Sequence, residues 1–156
     1  MVGARATGDL MKRRDARLLV VDDELVSSAA THHALRALGC RLIDEATHGA
    51  AAMPLLGARH YDLVISNWKM RGMGGDELLW LIRHTPRLAS VPVVIATEVT
   101  PEIVAEAAEA GVSAFLPRPF GFQTLEEVLR IFIGRPAPAG FSPVPPAASA
   151  PRSFLS

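Results

Sequence analysis

Short apolar runs along the chain alternate with segments whose apolar residues recur every three or four positions. Leu63-Val64-Ile65 is apolar, rich in β-branched residues and without polar alternation, the pattern of a parallel strand buried on both faces. Similar runs are 17–23, ending in Asp22-Asp23, then 41–46, 91–96 and 112–116. Pro92 stands near the start of its run, where a missing N–H is tolerated. Between the runs the pattern turns helical. Val26, Ala30, Ala34 and Ala37 form an inward stripe over 24–38, stopped by Gly39. Residues 48–56 form a helix shortened or kinked by Pro54 and stopped by Gly57. Leu78, Leu79 and Ile82 face inward over 76–84, before Thr85-Pro86. Thr100 is an N-cap, with Pro101 at the first helical position, and that helix ends at Ala110-Gly111. Leu125, Val128, Leu129 and Phe132 mark a last helix over 124–133. Strand and helix thus alternate five times, which predicts an α/β fold: one doubly wound, five-stranded parallel sheet with helices on both faces and right-handed crossovers.

The flanks differ from this pattern. Residues 1–15 read as a flexible lead with a solvated basic run, Lys12-Arg13-Arg14. Residues 135–156 hold six prolines among alanines and serines, a composition that cannot form a packed core and reads as a disordered tail. The domain proper is 16–134. Acidic and basic residues balance at sixteen each, so nothing draws the chain as a whole to nucleic acid or to an anionic membrane. The one cysteine, Cys40, cannot pair within the chain. With no export signal and no apolar span of membrane length, the expected setting is cytoplasmic.

Candidate chemistry gathers at the strand ends, where open α/β sheets place their sites. The first strand ends in Asp22-Asp23, the third in Asn67, the fourth in Thr97, and the fifth runs into Pro117-Arg118-Pro119-Phe120. Adjacent buried acids persist only with a compensating cation, donor or water. Such an oxygen-rich pocket suits Mg²⁺, and a threonine with a cation opposite suits a phosphoryl group. The five histidines show no i, i+4 helical pair, and read as surface residues rather than metal ligands. Trp68 reads as a half-exposed loop aromatic and Trp80 as a cover for the core.

Val20-Val21-Asp22-Asp23, Asp62 to Met70, Pro92 to Thr97, Ala110 to Phe120 and Thr124 to Glu127, in this order and spacing, resemble the receiver domain of bacterial two-component response regulators. The resemblance covers about residues 16–134 and implies a flavodoxin-like fold of the chemotaxis (CheY-like) type. It implies that Asp22 and Asp23 hold Mg²⁺ together with the backbone carbonyl of Lys69. Thr97 takes the position of the switch hydroxyl and Phe115 that of the switch aromatic. Arg118 takes that of a phosphoryl-binding lysine, and its bond to Pro119 is expected to be cis. Asn67 falls on the phosphoacceptor position, where the family has aspartate.

An amide does not form an acyl phosphate, so Asn67 removes the family's phosphorylation chemistry. It also takes a negative charge from the metal site, leaving Mg²⁺ binding weakened. The Asn67 amide could instead donate to Asp22 or Asp23. Arg118 has a planar fork that can clamp a carboxylate. One hypothesis is that it reaches Asp22 or Asp23 and locks the site. The alternative is that it points to solvent over the pocket mouth. The leading expectation is a stand-alone receiver-like domain, not an enzyme and not phosphorylated at Asn67. It would act by binding a protein: a histidine kinase, a phosphotransfer protein or an output protein. The resemblance puts that surface at about residues 98–133, through which some relatives dimerise; neither nucleic acid nor membrane is an expected partner. The alternatives are a conventional receiver carrying an engineered Asn67 and a pseudo-receiver that binds a small ligand.

Overall fold

The computed structural model describes residues 13–134. Its elements are β1 (Arg17–Val21), α1 (Leu25–Ala37), β2 (Leu42–Ala46), α2 (Gly49–Ala58), β3 (Leu63–Ser66), α3 (Gly75–His84), β4 (Val93–Thr97), α4 (Pro101–Ala110), β5 (Ala114–Pro117) and α5 (Phe122–Leu129), which continues into a π-helical turn, Arg130–Gly134. All five strands are parallel, in the order β2-β1-β3-β4-β5. The strand order reverses between β1 and β3, so the carboxyl ends of these two central strands open a crevice.

The uninterrupted apolar runs divide between two cores. Leu19, Val21, Val64, Val93 and Ile95 pack with Leu56, Leu78, Leu79, Ile82 and Ile103 of α2, α3 and α4. Leu18, Val20, Leu63, Ile65, Val94 and Leu116 pack on the other face with Leu35, Leu125 and Leu129 of α1 and α5. Alternate residues of a strand point to opposite faces, so a sheet covered on both sides needs apolar residues at every position.

Several expectations need correction. The buried face of α1 is Ser28, Thr31 and Leu35, whereas Val26 is 84% exposed and Ala30 and Ala37 are exposed. The alanine stripe has the right period but is turned about 140° from the buried face, and of its members Ala34 alone is half-buried against the core. The Ser28 hydroxyl is accommodated because it donates to Glu45 on β2. In α2, Gly57 does not stop the helix; it lies within the last turn, with Arg59 as the C-cap, and the His48 ring accepts from the Ala51 N–H at the other end. Trp68 is a core residue, 5% exposed, rather than a half-exposed loop aromatic. Trp80 is half-buried and stacks on His84 with ring centroids 4.0 Å apart. Thr100 caps α4 through its hydroxyl, and Gly111 closes that helix in the left-handed region, as expected.

Residues 13–15, assigned to the lead, are helical, and Arg13 is buried. The rest of the lead and the proline-rich tail lie outside the described residues. Arg83 on α3 is also buried, its guanidinium donating to the carbonyls of Gly111, Ala89 and Val91 and to the Ser113 hydroxyl. Burial pulls its pKa down to about 10, so it stays a cation at neutral pH. Ser113 therefore faces this network. No described helix is long and apolar enough to cross a membrane.

Candidate functional site

The β1 and β3 ladder carries the site beyond its last paired residues. Val21 pairs with Ser66, and the Asn67 N–H donates to the Val21 carbonyl at 2.9 Å, so Asp22 and Asn67 leave neighbouring strands at the same level. Thr97 ends β4 and is buried, and its carbonyl accepts from the Arg118 N–H at 3.0 Å, which fixes the start of the β5–α5 loop beside it. The Arg118–Pro119 bond is cis. Phe115 is partly buried against the core shared by α2, α3 and α4. Lys69 is exposed.

The carboxylate of Asp22 is enclosed and fully engaged. Its side chain is 1% exposed; Oδ1 accepts from the Glu24 N–H at 3.0 Å and Oδ2 from Nη2 of Arg118 at 2.9 Å. The same guanidinium donates through Nη1 to the Ser27 hydroxyl. Burial pushes the Asp22 carboxyl up, but the hydrogen bonds from Ser27, the Glu24 N–H and Arg118, with the charge of Arg118, outweigh it and hold it below the usual carboxylate range. A carboxyl with a depressed folded pKa stabilises the fold above its unfolded value, and that contribution is lost as pH falls through the folded one. Asp23 accepts from the Arg71 N–H at 3.1 Å, with the Arg71 Nε 3.7 Å away.

The Asn67 amide makes neither of the expected contacts to the acids. Its Oδ1 accepts from the Trp68 N–H at 2.8 Å, and the Ser66 hydroxyl donates to its backbone carbonyl at 2.9 Å. Of the two placements open to Arg118, the fold adopts the one on Asp22. Two participants went unread in the sequence. Ser27 lies in the first turn after the acidic pair, a position that faces the strand ends, and Arg71 enters through the loop after β3.

That loop is held tightly. The Gly75 N–H donates to the Trp68 carbonyl at 2.8 Å, and a β-carbon on Gly75 would lie 2.1 Å from the Asn67 carbonyl oxygen. Backbone cannot yield as a side chain can, so Gly75→Ala should destabilise the domain by about 1–3 kcal/mol. Urea unfolding of the two proteins measures this, and an alanine variant of equal stability would contradict it. Beside Arg118 an open groove of about 720 Å³ runs between α1 and the β5–α5 loop, lined in part by Ser27, Thr31, Glu98 and Phe120. Among the described residues no group of three or more His, Cys, Asp or Glu is arranged to hold a metal ion.

Five parallel strands in this order, with acids, an amide, a hydroxyl and a cation at their carboxyl ends, match a known arrangement. Residues 18–130 match the response regulator receiver domain, and the chain belongs to that family. It is 37% identical over 117 residues to the chemotaxis protein CheY-3 of Vibrio cholerae, covering 74% of this chain and 90% of that one. Among solved structures, Vibrio cholerae CheY4 superposes with a TM-score of 0.71 at 27% identity, over 76% of this chain and 98% of that one. The receiver domain of sensor histidine kinase PA1611 from Pseudomonas aeruginosa, solved with a magnesium ion coordinated in its active site cleft, shares the fold at a TM-score of 0.71 and 23% identity, over 77% of this chain and 98% of that one. The chain is thus a CheY-like receiver domain of two-component signalling.

Proposed function

We propose that this receiver domain takes no phosphoryl group and acts by binding another protein, its acidic pair being held by arginines instead of a metal ion. The observation that carries this is the ion pair of the half-buried Arg118 with the buried Asp22 carboxylate, beside Asn67. Both oxygens of Asp22 are already engaged, Asp23 is turned to Arg71, and Asn67 is uncharged with its Oδ1 committed to a backbone N–H. Mg²⁺ takes several hard oxygen ligands in near-octahedral geometry and keeps part of its water. The residues present here fit it poorly: an ion would have to displace a guanidinium from a buried carboxylate. A planar guanidinium also differs from the ammonium of lysine in forming several fixed hydrogen bonds at once, here to Asp22 and Ser27. Thr97, Phe115 and Pro119 keep their positions around the site, but on this reading no phosphoryl group reaches Thr97.

The domain is then not an enzyme, its setting is the cytoplasm, and its output is a protein contact through about residues 98–133. Val99 and Val104 on that face are exposed, at 39% and 38%. A histidine kinase, a phosphotransfer protein, an output protein or a second copy of the chain would each suit such a face. The test uses Trp68, buried beside Asn67, as a reporter in a Trp80→Phe background. Mg²⁺ is titrated with and without beryllium fluoride, a phosphoryl mimic. The expected result is no change in Trp68 emission. Saturable binding of either ion by the Asn67 protein would overturn the proposal. An Asn67→Asp variant that is readily labelled by acetyl phosphate would favour the rival reading, an engineered block in a conventional receiver.

A further inference from the structure

Arg13 lies before the part of the chain that matches the family, which begins at residue 18. Its guanidinium is nevertheless among the most enclosed in the domain, with the side chain 5% exposed. It forms a two-pronged pair with Glu126 of α5, Nη1 donating to Oε2 at 2.7 Å and Nη2 to Oε1 at 2.8 Å. Nη1 also donates to the carbonyl of Leu38, the C-cap of α1, at 3.0 Å. One side chain from outside the shared domain thus joins the end of α1 to the middle of α5. On its other side Glu126 accepts at 3.0 Å from Arg130, the first residue of the π-helical turn. The hydrogen bonds from Arg13 are the main reason the Glu126 carboxyl sits below its usual range; burial opposes them, and Arg130 adds to them. Surface ion pairs contribute little, but a two-pronged arginine pair with one partner buried is of the stronger kind.

We infer that the helical stretch 13–15 is a latch, in which Arg13 holds α5 against α1 and so sets the orientation of the α5 face. The inference rests on the reading above only in that α5 belongs to the proposed partner surface; the latch is a property of the isolated domain and is measured without a partner. Hydrogen exchange of the full chain tests it by comparing the Val128 and Leu129 amides of α5 with the Leu79 and Ile82 amides of α3. Arg13→Ala should speed exchange in α5 at least tenfold and leave α3 within about twofold. Glu126→Ala should do the same, and the double variant should be no worse than either single one. Unchanged protection in α5, or an equal rise in α3 and α5, would overturn the latch. If Arg13→Ala does not fold, the exchanged pair Arg13→Glu with Glu126→Arg decides the matter. Protection of α5 regained over the single Glu126→Arg variant supports the latch, and none regained refutes it.

Discussion

Replacing Asn67 by Asp and Arg118 by Lys together should raise Mg²⁺ affinity by about 100-fold, or about 3 kcal/mol. The first change restores a carboxylate at the end of β3. The second frees Asp22, because a lysine ammonium cannot bridge Asp22 and Ser27 as the guanidinium does. A unit negative charge about 4 Å from a divalent ion contributes about 8 kcal/mol at an effective dielectric of about 20, and desolvation of the ion and the carboxylate cancels most of it. Each single variant should gain only about tenfold. Asn67→Asp alone leaves Arg118 on Asp22, and Arg118→Lys alone leaves an amide where a third acid is needed. Emission of Trp68 during Mg²⁺ titration of the three variants, all carrying Trp80→Phe, gives their affinities, and the unresponsive parent protein sets the lower bound of the gain. If Asn67→Asp alone reached the affinity of the double variant, Arg118 would be no competitor for the metal position. The account of an arginine-held site would then fail.

Arg83→Met should cost about 3–5 kcal/mol of stability, with midpoint temperature falling by roughly 10–20 °C. Arg83 joins α3 to the turn before β4 and to the segment before β5, through three carbonyls and the Ser113 hydroxyl. Ser113 in turn accepts from the Val93 N–H, the first residue of β4. Methionine fills much of the volume but leaves these acceptors buried without a donor, the costly half of a broken hydrogen bond. The strands Arg83 steadies are those whose far ends carry Thr97 and Arg118. Urea unfolding with an unchanged slope and a lowered midpoint is the expected signature. A loss below about 1 kcal/mol would mean that water replaces the guanidinium at no great cost.

Arg83 and Arg13 also show what sequence reading misses. Each sits in a sequence context that looks solvated: the polar last turn of an amphipathic helix, and a basic run near the terminus. Arginine can be buried when most of its donors meet acceptors, and here those acceptors are carbonyls and a carboxylate supplied by other elements of the fold. No local pattern records them. The misplaced stripe on α1 has a similar cause. Alanine is tolerated on either side of a helix, so its periodicity does not say which side faces the sheet. The hydrogen bond from Ser28 to Glu45 and the burial of Thr31 and Leu35 do.

Local chemistry wrote the order of strands and helices into the sequence. Runs of β-branched residues favour buried strands, and Thr100-Pro101 and Gly111 have the chemistry to begin and end a helix. The parallel sheet followed from that alternation, and with it the gathering of Asp22, Asp23, Asn67, Thr97 and Arg118 at one end. That Asn67 brings an amide to this end of the sheet was legible as well, and on the proposed reading residue type alone decides that no acyl phosphate forms there. Tertiary structure alone decided which groups meet there. The Arg118 guanidinium lies 96 residues from Asp22 and the Arg71 N–H lies 48 from Asp23, and only the folded backbone sets the distance and angle that each of these hydrogen bonds needs.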